Sequence, residues 1–213
     1  MDFSAQREKL VNSMVANGSL KSPELKRAFL NVKREEFFLA DMKRFSYEDS
    51  AFPIGYGQTI SQPSTIAIML EHLRPKEGHK VLEVGSGSGY VLALLSELVG
   101  PEGTVIGIER NTELAQRSRY TLEKLGYKKV KVINADGSKG LPEESPFDRI
   151  LVSAACSAVP KPLEEQLALL GRLVAPVGSR FSQQLQVIEK TQNGVLKRYF
   201  AEGYFVFVPL ISD

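Results

Sequence analysis

The sequence predicts an α/β protein: a mostly parallel sheet with antiparallel C-terminal strands, preceded by a helical N-terminal extension. Three observations carry that expectation. From Lys80 onward, short β-branched runs alternate with helical segments, and their starts fall roughly 20 to 25 residues apart, a spacing that suits right-handed βαβ crossovers. Before Lys80 the apolar residues recur at helical spacing. In the tail, two strand-like runs flank Asn193-Gly194, a strong signal for a hairpin with a type I′ turn.

Taken in order, "REKLVNSMVANG" has spaced apolar positions and stops at Gly18. Ser22 and Pro23 supply a cap and a first-turn proline for "ELKRAFLNV". Asp41 to Gln62 lacks a sustained period and contains Pro53, Gly55 and Gly57, so it reads as a long loop of the kind that is often functional. Pro63 opens an apolar helix, "STIAIMLEHL". The parallel strands are expected in "KVLEV", "TVIGIE", "VKVINAD", "DRILVSAA" and "GRLVAPV". Between them, "YVLALLSELVGPEG" reads as a helix ended by Gly100-Pro101 and "NTELAQRSRYTLEKLG" as one ended by Gly126. "QQLQVIEKT" and "VLKRYFAE" make the terminal hairpin, and "YFVFVPLI" reads as a final aromatic strand. With no repeat or linker, the chain is expected to be one domain over 1–213, with 1–75 a helical region and loop and 76–213 the core.

Composition narrows the function. Hydrophobic residues at 43% and charged residues at 24% are ordinary globular usage. A net charge of +2 is too small for a dedicated nucleic-acid binder, so no nucleic-acid partner is expected. Lys124, Lys128, Lys129 and Lys131 cluster at a helix end, where cations oppose the dipole. The single cysteine, Cys156, excludes an internal disulfide framework, suggests no metal site, and fits a reducing, cytoplasmic setting. The opening "MDFSAQREKLVNSM" lacks the apolar core of a secretory signal and no run is long enough to cross a bilayer, so no membrane partner is expected. A monomer is expected.

"VLEVGSGSGY" places Gly85, Gly87 and Gly89 where a buried strand turns into a helix. Such a turn lets the backbone approach a ligand at a helix N-terminus. The spacing matches neither the dinucleotide fingerprint nor a nucleoside triphosphate loop. Gly-x-Gly-x-Gly preceded by Glu83 resembles the first motif of Rossmann-like S-adenosylmethionine-dependent methyltransferases. Glu109 ends the next strand, twenty residues beyond Gly89, where a carboxylate can accept both hydrogen bonds of a ribose diol.

Together with "PIGYGQTISQP", "GLPEESPFDRILVSAA", "LGRLVAPVG" and "FVFVPL", these residues resemble the protein-L-isoaspartate (D-aspartate) O-methyltransferase family over about Phe52 to Leu210. The resemblance implies methyl transfer from S-adenosyl-L-methionine, with S-adenosyl-L-homocysteine as product, to the α-carboxylate of L-isoaspartyl residues in damaged proteins, which are its partners as substrates. It implies Ser61 as the active-site residue, with Thr59 and Ile60 beside the cofactor. Glu83, Gly85, Ser86, Gly87, Gly89, Glu109, Arg110, Asp136 and Gly137 would bind the cofactor; Ile54, Gly55, Val208 and Pro209 would bind substrate. The chain departs from the family pattern at "SAACSAVP" and at "LGRLV", where "GGRLV" is common, both bearing on the rim of the substrate cleft.

The residue chemistry agrees. The attacking carboxylate, with a reference pKa of about 4, is already ionised and needs no general base, which suits a chain whose two histidines, His72 and His79, read as structural. What remains is alignment and exclusion of water. Ser61 has a bland alternative, capping the helix that Pro63 opens. Two other functions compete: methylation of a small molecule or nucleic acid, and cofactor binding without catalysis. The nucleic-acid form of the first is disfavoured because "SAAC" lacks the Asn/Asp-Pro-Pro-aromatic tetrapeptide of amino-directed enzymes and the net charge is weak, and the second by the intact "TISQP".

Overall fold

The structure, a computed structural model, describes residues 2–211. Helix α1 (Phe3–Ala16) begins at Asp2, whose carboxylate accepts from the amides of Ser4 and Ala5. Helix α2 (Pro23–Asn31) has its proline in the first turn, and 3₁₀ turns follow at Arg34–Phe37 and Ala40–Phe45. A short hairpin, β1 (Phe52–Gly55) and β2 (Gln58–Ile60), leads into α3 (Pro63–Leu73). The alternating part then runs β3 (Lys80–Val84), α4 (Tyr90–Val99), β4 (Thr104–Glu109), α5 (Thr112–Lys124), β5 (Lys131–Asn134), β6 (Phe147–Val152), α6 (Lys161–Glu165) and β7 (Leu167–Ser179). Strands β8 (Ser182–Lys190) and β9 (Leu196–Phe200) complete it.

Seven strands form one sheet in the order β5-β4-β3-β6-β7-β8-β9. The first five are parallel, and β8 and β9 are antiparallel additions. Chain order runs outward from β3 in one direction, then restarts at β6 on its other side. That reversal opens a crevice at the carboxyl ends of β3 and β6. Alternating side chains serve two cores: Val81, Val105 and Leu151 face a cluster with α1 to α5, while Leu82, Ile106 and Ile150 face one with α6. Gly107 sets how closely α4 seats on β4, since a Cβ there would lie 2.6 Å from Cδ1 of Leu92. Among the described residues no helix is long and apolar enough to cross a membrane.

Three local expectations are corrected. The stretch 41–62 is not a plain loop: β1 pairs antiparallel with β2, and the turn residues Tyr56 and Gly57 have φ of 55° and 69°, the positive values a type I′ turn requires. That turn type was expected at Asn193-Gly194. There β8 and β9 do pair, but across a longer loop closed by the Thr191 amide donating to the Val195 carbonyl, and Asn193 is not among the residues of positive φ. "YFVFVPLI" forms no strand, only isolated bridges from Phe205 to Gln183 and from Pro209 to Ala155. The buried Gln183 side chain takes the Phe207 amide at 2.8 Å, replacing a ladder bond, and Pro209 has no amide to offer.

Strand β7 contains a bulge, for its register against β6 jumps between Phe147 opposite Leu167 and Arg149 opposite Arg172. Leu170, the leucine of "LGRLV", sits in it with φ of 62° and is largely exposed. A leucine held left-handed costs roughly 1–2 kcal/mol, and little burial offsets it. Leu170→Gly should therefore raise stability by about 0.5–1 kcal/mol after the entropy of glycine is counted. Urea unfolding of the two proteins checks this; a lower midpoint for the variant contradicts it.

Candidate active site

A cavity of about 440 Å³ opens at the crevice, between the glycine turn and the β1–β2 hairpin. Its floor is Glu83 and the turn itself, one side is the end of β4 with the start of α5, and the other is Ser153 and Ala154 after β6. Thr59, Ile60 and Ser61 cover it, and Val208, Pro209 and Leu210 form the rim.

The turn is shaped by its glycines and by one acid. Gly85 and Ser86 donate their amides to the Ile108 carbonyl at 2.8 and 3.1 Å, and Gly87 donates to Glu109 Oε2 at 2.8 Å. The other Glu109 oxygen accepts from the Asn111 amide at 2.8 Å, so one carboxylate ties the turn to the start of α5. Each oxygen keeps a second lone pair for a ligand. Gly87 has φ of 51°, and a Cβ on it would stand 3.2 Å from Cδ1 of Ile54, so the hairpin rests on the bare backbone of the turn.

Glu83 is 1% exposed. Its Oε1 accepts from the Ser153 hydroxyl at 2.7 Å, and its Oε2 is buried without a partner. Burial pushes its pKa up to about 8; the Ser153 bond opposes the shift and the negative charge of Glu109 adds to it. The carboxyl is therefore mostly protonated at neutral pH while the cavity holds no cation.

Ser61 is not the helix cap. The cap position of α3 is Gln62, which makes no side-chain cap bond; instead Asp49 accepts the Ser64 amide at 2.8 Å and the Gln62 side chain at 3.2 Å. A distant carboxylate thus does the capping, and Ser61 lines the cavity. The Ser61 carbonyl accepts from Arg34 at 2.8 Å, and Arg117 of α5 donates to the Ile54 carbonyl.

Most of the expected residues meet here: Thr59, Ile60, Ser61, Glu83, Gly85, Ser86, Gly87, Glu109, Arg110, Gly137, Val208 and Pro209 all line the cavity. Four do not. Gly89 lies behind the turn, where a Cβ would come 2.3 Å from the Ser118 hydroxyl, so its bare backbone lets α5 pack. Asp136 is outside the lining, its carboxylate accepting the Ser138 amide at 2.9 Å and lying 3.7 Å from the Lys139 ammonium, while the neighbouring Gly137 reaches the wall. Ile54 is buried beneath the hairpin, and Gly55 is outside the lining; Tyr56 and Gln58 stand there instead.

Tyr56 and Ser153 were missed by sequence reasoning. Tyr56 is an exposed aromatic residue at positive φ, a strained position that only the turn geometry reveals. Ser153 had a weak signal, a hydroxyl at the end of the strand beside the switch point. The rim depends on "SAACSAVP" through Ala155, whose amide donates to the Val208 carbonyl at 2.8 Å and whose carbonyl accepts from Leu210 at 2.7 Å. The Cys156 thiol is pushed up to about 11 by burial, and both imidazoles lie outside the cavity with pKa values depressed by burial.

The comparisons with known proteins agree with this geometry. The family model "Protein-L-isoaspartate(D-aspartate) O-methyltransferase (PCMT)" matches residues 5–213. The chain is 49% identical over 212 residues to the protein-L-isoaspartate O-methyltransferase of Methanopyrus kandleri, covering 99% of this chain and 93% of that one. It is 44% identical to the Petrotoga mobilis enzyme of the same name, over 100% of this chain and 99% of the relative. A solved Plasmodium falciparum chain, described as a protein-L-isoaspartate O-methyltransferase in complex with S-adenosyl-L-homocysteine, superposes with a TM-score of 0.85 at 26% identity, covering 97% of this chain and 99% of that one.

Glu83 makes stability depend on pH. Its folded pKa of about 8 exceeds the ordinary 4.5, so the folded protein holds a proton that the unfolded chain releases. The contribution is fully present below the ordinary value and is lost as pH rises through about 8. Thermal unfolding of the ligand-free protein and of Glu83→Gln, from about pH 5 to about pH 9, should show the wild type losing stability relative to the variant as pH rises. A constant difference across that range contradicts a buried, protonated carboxyl.

Proposed function

The chain belongs to the protein-L-isoaspartate (D-aspartate) O-methyltransferase family, and from that premise we propose that the cavity beneath the hairpin is where methyl passes from S-adenosyl-L-methionine to the α-carboxylate of an L-isoaspartyl residue in a damaged protein. The observation that carries this reading is the Glu83 carboxyl, buried with one oxygen lacking a donor.

The residues fit the cofactor. The unpaired Glu83 Oε2 suits the methionyl ammonium, since a cation offsets the cost of ionising a buried carboxyl. The spare lone pairs of Glu109 suit a ribose diol, and the glycine turn lets backbone come close to the ligand. When bound, the cofactor would supply an electrophilic S-methyl carbon; the acceptor carboxylate bonds to that carbon as the carbon–sulfur bond breaks, leaving S-adenosyl-L-homocysteine and a methyl ester, which the following backbone amide nitrogen can attack to close a succinimide with loss of methanol.

The chain's own residues supply orientation. Ser61 donates its hydroxyl to the acceptor carboxylate and turns one oxygen toward the cofactor. Thr59 and Ile60 cover the reacting atoms and keep water out, which strengthens the attraction between opposite charges. Val208 and Pro209 with Tyr56 border the space for the peptide. No general base is needed for a nucleophile that is already ionised. The enzyme is read as acting as a monomer, and a single unactivated cysteine accords with the cytoplasm.

The test pairs substrates and a variant. With labelled S-adenosyl-L-methionine, a peptide containing L-isoaspartate should accept base-labile methyl while its aspartyl twin does not; equal labelling rejects the specificity. A hydrogen bond to a charged group is worth about 1.5–3 kcal/mol, so Ser61→Ala should lower kcat by roughly 10- to 100-fold with the melting temperature little changed. Intact turnover in that variant would remove Ser61 from the chemistry.

A further inference from the structure

Arg34 is 0% exposed, yet among the described residues no carboxylate is paired with it. Its Nε donates to the Ser46 carbonyl at 2.9 Å and its Nη2 to the Ser61 carbonyl at 2.8 Å, while Nη1 is buried without a partner. The guanidinium also lies over the rings of Tyr90 and Phe38, 4.7 and 5.3 Å from their centroids. Burying an unpaired cation is expensive. An apolar side chain would avoid that cost but would strand two carbonyls.

The position explains why the cost is borne. Between Ser46 and Ser61 lie Asp49, which caps α3, and the whole β1–β2 hairpin. Arg34 therefore closes the base of the segment that covers the cavity. Tyr90, on which it stacks, is the first residue of α4 after the glycine turn and itself lines the cavity. One planar group thus holds the backbone of Ser61 in register with the turn. Lysine lacks this geometry, since a point charge on a flexible stem reaches one carbonyl and stacks on neither ring in the same way.

We propose that Arg34 is a positioning residue for methyl transfer: by gripping the Ser61 carbonyl against Tyr90, it fixes where the Ser61 hydroxyl stands over the cavity. The inference rests on the role given to Ser61 above. It predicts that Arg34 acts through Ser61, so that its replacement matters only while the serine hydroxyl is present.

The experiment is a double-mutant cycle of Arg34→Lys and Ser61→Ala, with kcat and KM measured on an isoaspartyl peptide and the affinity for S-adenosyl-L-homocysteine measured by calorimetry. Arg34→Lys keeps a charge and one bond, so a folded variant is at hand even if Arg34→Met fails to fold. A displacement of about 1 Å can cost up to about 100-fold, so Arg34→Lys alone should lower kcat by about 10-fold or more, with product affinity changed less than about 3-fold. In the Ser61→Ala background the same replacement should lower kcat by less than about 2-fold. An undiminished loss in that background, or product affinity falling in step with kcat, overturns the inference. If Ser61→Ala alone leaves kcat unchanged, the reading of Ser61 falls first and this one with it.

Discussion

A carboxyl sealed from water, with a donor for only one of its two oxygens, is the constraint around which this molecule is arranged. Glu83 stands on β3, the strand from which the sheet grows in both directions, and its side chain rises into the crevice created by that reversal. A buried acceptor without a partner costs roughly 1–3 kcal/mol, more if charged. The fold bears that cost by keeping a proton on the group, as its elevated pKa of about 8 indicates. The second acid in the same wall behaves differently. Both Glu109 oxygens already serve backbone amides, so it shapes the turn. Two carboxyls in one wall thus differ: one holds the shape of the turn, and the other keeps an oxygen without a donor.

The hairpin is the complementary half, and its own pairing is too slight to keep it in place. Strands of four and three residues joined by two turn residues are marginal alone. Neighbours hold them: Arg34 at the Ser61 end, Arg117 of α5 at Ile54, and the Ile54 side chain on Gly87. Asp49 takes over the amide that a serine at this kind of junction usually serves. That substitution links local structure to chemistry, because it frees Ser61, a residue of the cavity lining, from capping. The same division explains why the histidines stand apart. An acceptor that arrives ionised asks for alignment and dryness, which backbone anchoring supplies and proton transfer does not.

The parallel core was legible because its signals are local: β-branched runs, a glycine turn after the first of them and helix stops at Gly100 and Gly126. Glu83, Glu109 and Ser61 could be singled out for the same reason. What escaped depended on partners distant in the chain. The hairpin at 52–60 is anchored by Arg34 at Ser61 and by Arg117 at Ile54, and its turn uses a tyrosine at positive φ that no turn preference favours. "YFVFVPLI" has the composition of a strand, but the side chain of Gln183 and the proline at 209 divide it between two partners. Gly89 and Asp136 fit a motif by spacing, whereas their contacts with α5 and with the 3₁₀ turn at Gly137–Lys139 depend on the folded chain.

The central claim is that the bound cofactor completes Glu83, and a proton reports it most directly. Near pH 7 the free carboxyl is mostly protonated, and beside an ammonium group it ionises. Calorimetric titration with S-adenosyl-L-homocysteine, in two buffers of different ionisation enthalpy, should register the release of close to one proton by the wild type and none by Glu83→Gln. Heats that do not depend on the buffer in the wild type, with Glu83→Gln binding as tightly, would contradict the account.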